Sequence, residues 1–286
     1  IALPHSTIPT LPGMYHIHLN QTIGRLRAGQ AAVGVWAMDR SPDGAAFYAS
    51  ADLDFVLYDM EHGPFDIEFL RVWLQFFIDR RRDRAGDLPV TPVARIPAYG
   101  YERNYWIIKQ VLDLGFLGIV VPHVHSAEDA AAAVRAVRYP QASESPYPEP
   151  RGYRGARPAM AARYWGLTQE EYVARADLWP LNPEGELLLV VMVETREGLD
   201  QLEAIVRVPG VGVVMIGPYD LSFALGVPGQ TKHPVVQEAV ARVLAVCQAH
   251  GVVCGIAADP EDVPRRLAQG FRWVVTREVR LLPQRA

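Results

Sequence analysis

The chain has 286 residues, half of them hydrophobic, and a formal net charge of -4. That is enough apolar material for one large core or two small ones. A weakly acidic balance gives no electrostatic footprint for nucleic acid, and no apolar run reaches the roughly 18 residues of a membrane span. The opening residues lack a basic stretch followed by an apolar one, so they do not read as a secretory signal. Cys247 and Cys254 fall on a predicted helix and the next strand, which is neither a disulfide framework nor a metal motif. A cytoplasmic, reducing setting is the expectation.

In chain order, residues 1–18 read as an irregular arm and 19–286 as one domain. A short helix over 19–29 comes first. Then strands are predicted over 31–38, 55–61, 91–97, 118–124, 187–194, 211–217, 252–257 and 271–276. Helical patterns follow most of them: 43–51, 66–82, 102–114, 126–138, 196–207, 233–250 and 260–269. Continuous apolar runs bounded by turn residues suit parallel strands buried on both faces. Eight of them alternating with helices predict an α/β fold, a single (β/α)8 barrel. A doubly wound sheet is the alternative, but no Gly-rich dinucleotide fingerprint follows an early strand. Two features interrupt the pattern. A Pro-, Tyr- and Arg-rich insertion spans 139–186, expected to cover or border the pocket. After the eighth strand only about ten residues remain, so the eighth helix is expected to be missing or truncated. The run DRRRDRAGD at 79–87 reads as a solvated helix end and loop.

The chemistry is expected at the C-terminal edge of such a barrel. Glu194 and Asp220 end two neighbouring strands. Carboxylates crowded there repel unless one is protonated or a cation lies between them, and hard oxygen ligands favour Mg²⁺ or Mn²⁺. The plain alternative is that both only cap the helices that follow. The second strand ends in Asp59-Met60-Glu61-His62-Gly63-Pro64. A carboxylate three residues before a histidine can hold one ring nitrogen and leave the other free for proton transfer. Arg95 ends the third strand, placed for a carboxylate or an enolate oxygen, or for an ion pair with Glu61 or Asp59. Gly217, Pro218, Tyr219 and Asp220 open a helical turn whose free N–H groups suit an anion. His123 and His125 flank the end of the fourth strand. One faces the pocket, or both cap and pack.

The segments YDMEHGPFD, VARIP, KQVLDLGFLGIVVPHVHSAEDA, RYP with RGYRG, VMVET and VPGVGVVMIGPYDLS together resemble the HpcH/HpaI class II aldolases, from about residue 20 to about 276. The resemblance implies a barrel of the phosphoenolpyruvate/pyruvate superfamily that needs a divalent cation (Mg²⁺, Mn²⁺ or Co²⁺). It implies a carbon–carbon lyase that cleaves or forms a 4-hydroxy-2-oxo acid from a 2-oxo acid and an aldehyde. Carried over by position, Glu194 and Asp220 bind the metal, and His62 paired with Asp59 is the acid–base group. Arg95 stabilises the enolate, and the Tyr219 and Asp220 N–H groups hold the pyruvate carboxylate. The chain departs from the family pattern in four places. Met192 stands where glutamine is common, and Tyr219 where alanine is common. The insertion is longer than usual, and the last helix, swapped between subunits in the family's hexamers, is short or absent. A homo-oligomer is still the implied assembly. Two rival functions are a different reaction at the same enolate, such as decarboxylation or another C–C addition, and a silent binding barrel.

Overall fold

A computed structural model of the protein describes residues 18–79 and 90–278. The expectations for residues 1–17 of the arm, for most of the basic run and for the eighth helix lie outside these residues.

Among the described residues nine strands form: β1 (Ala32–Trp36), β2 (Phe55–Asp59), β3 (Thr91–Arg95), β4 (Gly118–Val121), β5 (Leu178–Trp179), β6 (Leu187–Val193), β7 (Val213–Ile216), β8 (Val253–Ala257) and β9 (Trp273–Thr276). Every pairing is parallel, and pairing of β4 with β6 closes a ring of eight. The closed barrel is the predicted fold. The short β5 lies on the start of β6, outside the ring, with Leu178 opposite Leu187.

The two-residue period of the strands sorts their side chains. Both faces are apolar, because helices cover the outside of the barrel. Leu57, Val93, Leu188, Val190, Met192, Val213 and Met215 point into the barrel. Val56, Ala94, Leu189, Val191, Val193, Val214 and Ile216 pack outward under the helices. Near the N-terminal end the interior is filled by Phe55 stacked on Trp273, with ring centroids 4.3 Å apart. Gly34 makes room for that stack, since a Cβ there would come within 2.4 Å of the Phe55 ring. Ile23 and Leu26 of the helix Gln21–Arg27 join the same inner cluster and close that end.

The inward period continues past the last apolar layer. Asp59 follows Leu57, Arg95 follows Val93 and Glu194 follows Met192, each two residues on. Polar side chains therefore converge at the C-terminal mouth because the apolar register below them is fixed.

The insertion corrects an expectation. It does not reach the mouth. It carries two helices, Ala159–Trp165 and Gln169–Arg175, and packs on the lower ends of the helices before β3 and β4. The Tyr164 hydroxyl donates to the Phe77 carbonyl (3.0 Å) and Trp165 Nε1 to the Gly115 carbonyl (2.8 Å). Arg138, fully buried, forks onto Asp177 and donates to the carbonyls of Pro150 and Tyr147. The aromatic and basic residues of this segment hold it down on the end of the barrel opposite the candidate site.

Candidate active site

Arg95 is the hub of the mouth. It is 4 % exposed. Its Nε and Nη2 donate to the two oxygens of Asp59 at 2.8 and 2.7 Å, and Nη1 lies 2.6 Å from Glu61 Oε2. The guanidinium covers the Trp36 ring at 4.5 Å, and Nη1 is 3.9 Å from the Met192 sulfur. Burial works against its charge, but Asp59, Glu61 and Glu194 outweigh that and hold it cationic. Burial likewise opposes the Asp59 carboxylate, and the Arg95 bonds win and lower its pKa.

This geometry alters the expected partnership of Asp59. Both of its oxygens serve Arg95, and one also accepts the Glu61 N–H at 3.0 Å. Among the described residues no hydrogen bond or ion pair joins Asp59 to His62. The His62 side chain is 60 % exposed, with Nε2 3.9 Å from Glu61 Oε2. The register explains this: Asp59 and Arg95 are directly opposed across β2 and β3, so the carboxylate meets the guanidinium before it can reach past the strand end.

Glu194 sits at the centre of a second group. Its side chain is fully buried; Oε1 accepts the His123 N–H at 3.0 Å, and Oε2 has no hydrogen-bond partner among the described residues. Gly217 lies against it, so close that a Cβ there would come within 2.1 Å of Oε2. Burial, reinforced by the charges of Glu61 and Asp220 and opposed by His123, pushes the Glu194 carboxyl up to about 7. His123 Nε2 is 3.4 Å from Glu61 Oε1 and 3.9 Å from Glu194 Oε1. Burial lowers the affinity of His123 for a proton, but Glu61, Glu194 and Asp220 outweigh it and raise its pKa. Glu61, His123 and Glu194 thus bring three potential ligand atoms within 4.8 Å of one another. The donors fit a divalent cation: one imidazole and two carboxylates, one of which has a buried oxygen without a hydrogen-bond partner among the described residues.

Asp220 lies in the first turn of the helix Pro218–Ala224, partly buried, and its charge is felt by both Glu194 and His123. Met192 is buried in the inner cluster and Tyr219 is 59 % exposed at the rim. His125 turns away and stacks on Tyr101, ring centroids 4.3 Å apart. From sequence alone His123 is undecided, and Glu61 reads only as an ion-pair partner for Arg95. The signal for Glu61 is the inward period of β2, extended by two residues past Asp59. His123 is out of phase with inward Val120 and reaches the site only through its positive φ.

The chain matches the model of the HpcH/HpaI aldolase/citrate lyase family over residues 32–276. A hydroxypyruvate/pyruvate aldolase of Pseudomonas aeruginosa is 37 % identical over 248 residues, 87 % of this chain and 82 % of that protein. A 5-keto-4-deoxy-D-glucarate aldolase of Salmonella paratyphi A is 32 % identical over 256 residues, 89 % of each chain. The crystal structure of an HpcH/HpaI aldolase/citrate lyase family protein from Burkholderia cenocepacia J2315 superposes with a TM-score of 0.75 at 32 % identity, covering 91 % of this chain and 93 % of that one. The barrel, its acidic mouth and these matches agree: the chain belongs to the HpcH/HpaI aldolase/citrate lyase family and is a carbon–carbon lyase.

Proposed function

We propose that the site cleaves and forms 4-hydroxy-2-oxo acids through a pyruvate-type enolate, with a divalent cation held by Glu194 and Asp220. The observation that carries this reading is the buried Glu194 carboxylate, whose Oε2 lacks a partner while Asp220 and Glu61 add negative charge beside it. When bound, Mg²⁺, Mn²⁺ or Co²⁺ polarises the 2-oxo carbonyl and neutralises charge that grows as the C–C bond breaks.

The chain's own residues do the rest. Arg95, preorganised by Asp59 and Glu61, donates to the developing enolate oxygen without having to reorient. His62, exposed at the mouth, takes the proton from the 4-hydroxyl in cleavage and returns it in synthesis. The N–H groups of Tyr219 and Asp220, in the first turn after Gly217, receive the substrate carboxylate. Met192 brings a thioether to the Arg95 side of the pocket. It favours substrates whose pyruvate end needs no further donor there.

Pyruvate and hydroxypyruvate are the first nucleophiles to test, given the names of the relatives. The decisive experiment is cation-dependent exchange of the pyruvate methyl protons with solvent. Exchange in the wild type and none in Glu194→Gln or Asp220→Asn supports the reading. Calorimetric Mn²⁺ affinity unchanged in both variants would refute the metal assignment. Oligomeric assembly belongs to the same proposal. Phe65, Phe69, Phe76 and Trp106 are exposed on neighbouring helices and loops, an apolar surface that a second copy would cover. Light scattering that finds a stable monomer at micromolar concentration counts against it.

A further inference from the structure

We propose that His123 is an additional protein ligand of the cation, and that its imidazole makes the site prefer Co²⁺ over Mg²⁺. The inference rests on the reading above that a cation binds at Glu194.

Three observations carry it. The first is spacing. Ligand atoms that share one ion at about 2.1 Å lie roughly 3.0–3.4 Å apart in octahedral or tetrahedral geometry. His123 Nε2 is 3.4 Å from Glu61 Oε1 and 3.9 Å from Glu194 Oε1, so a small side-chain adjustment brings the group onto one ion. The second is the backbone. His123 has φ 49, in the left-handed region that a residue with a Cβ seldom adopts. That turn presents its N–H to Glu194 Oε1 at 3.0 Å and brings its ring back over the same carboxylate. Tyr99 stands edge-on to the ring, 5.4 Å between centroids, and limits its movement away from the carboxylates. The third is the buried, unpartnered Glu194 Oε2, beside which Gly217 leaves the room that a Cβ would fill. A strained loop, a held imidazole and an unsatisfied oxygen meet at one point.

The consequence is selectivity. Mg²⁺ takes oxygen ligands and holds its water tightly, whereas imidazole raises affinity for the later first-row ions. Removing the ring should therefore weaken Co²⁺ binding roughly 10- to 100-fold, the range seen when a metal site loses a supporting group. Mg²⁺ affinity should change by less than about threefold, because an oxygen-preferring ion gains little from imidazole.

The test uses the full chain. Wild type, His123→Ala and, in case alanine perturbs the loop, His123→Gln are titrated calorimetrically with Co²⁺ and with Mg²⁺. Pulsed electron paramagnetic resonance is recorded on the Mn²⁺-loaded proteins. The expected result is nitrogen modulation in the wild type and in His62→Ala, lost in both His123 variants, with a selective loss of Co²⁺ affinity. The assignment is overturned if wild type shows no nitrogen coupling, if coupling persists without His123, or if Co²⁺ and Mg²⁺ weaken equally. Loss of metal in Glu194→Gln with no nitrogen signal in wild type overturns only the role of His123. Wild-type metal affinity in Glu194→Gln overturns the cation reading itself.

Discussion

Asp59 and Arg95 stand opposite one another on β2 and β3 and are joined by two hydrogen bonds, 2.8 and 2.7 Å long. Strand register therefore sets the direction of the guanidinium, and Glu61 takes its remaining arm. Lysine cannot reproduce this fork or the stack on Trp36. Arg95→Lys should lower turnover by about 10²–10³, the usual loss when one oxyanion donor is removed. Steady-state kinetics with Mn²⁺ titration checks this; a variant within about tenfold of wild-type turnover, below that range, shows that Arg95 only braces the mouth.

His62 has a different exposure and a different expected signature. It borders the Arg95 network only through Glu61, Nε2 to Oε2 3.9 Å, with its side chain mostly in solvent. His62→Ala should lower turnover by roughly 10²–10⁴, as loss of a general base does, and leave Mn²⁺ affinity near wild type. Aldol cleavage at the wild-type rate places the base elsewhere, and His123 would then be the next residue to examine.

Glu194 makes a prediction about stability. Its carboxyl is pushed from an ordinary 4.5 up to about 7 in the metal-free fold, chiefly by burial. A carboxyl with a raised folded-state pKa keeps its proton while the unfolded chain has lost it. The folded state then binds more protons, so stability falls as pH rises from about 4.5 to about 7 and stays low above that. At about 1.36 kcal/mol per unit, the full penalty is about 3 kcal/mol. Urea denaturation of EDTA-treated wild type and Glu194→Gln at pH values of about 4 and about 8, on either side of that window, isolates it. The wild type should lose that much more stability than the variant; parallel behaviour would mean the carboxyl titrates normally.

The barrel was legible because each long strand is a compact apolar run with a helix pattern behind it. β6, Leu187–Val193, is the plainest case, and the apolar run ends within one residue of the strand. β5 has two residues and no period to detect. The insertion helices were hidden by the Pro-, Tyr- and Arg-rich composition around them. One was marked, since Thr168 and Glu171 form a capping box at the start of Gln169–Arg175. The site was legible as a set of residue types at strand ends, but its pairings were not. Asp59 is three residues from His62 in sequence, yet its register partner is Arg95, because sheet pairing depends on residues 36 positions away. His123 and His125 look alike in sequence. A single positive φ turns one toward Glu194, while the other stacks on Tyr101.

The insertion should matter for stability and not for catalysis. Arg138 is fully buried and ties Asp177 to the carbonyls of Tyr147 and Pro150. Arg138→Met removes the cation paired with Asp177, which keeps only the Leu178 N–H and the Asn182 amide, and takes the Arg138 donor from two carbonyls. A broken buried pair of this kind costs about 3–5 kcal/mol. Below the melting transition, kcat and KM should match wild type, because these contacts lie on the face opposite Glu194. Chemical denaturation with parallel kinetics tests both halves. A large change in KM with unchanged stability would show that the segment reaches substrate after all.

The last prediction separates two ways of activating a 2-oxo acid. One is an imine with a desolvated lysine whose amine lies at the pocket. The other is a divalent cation that polarises the carbonyl. The chain has two lysines, Lys109 and Lys232. Lys109 lies on the helix Trp106–Leu114, outside the barrel, paired with Asp113 one turn on and packed against Gly155. Lys232 is exposed in the loop before the helix Pro234–Ala249. Neither is buried on a strand or at a strand end, so neither presents its amine to the pocket as imine chemistry requires. In the proposed reading Glu194 and Asp220 supply the oxygen donors that the other route requires. Borohydride with pyruvate should therefore trap no adduct. EDTA should abolish cleavage, and Mg²⁺, Mn²⁺ or Co²⁺ should restore it. A borohydride-dependent mass increase on either lysine, or full activity in EDTA, would overturn the cation mechanism.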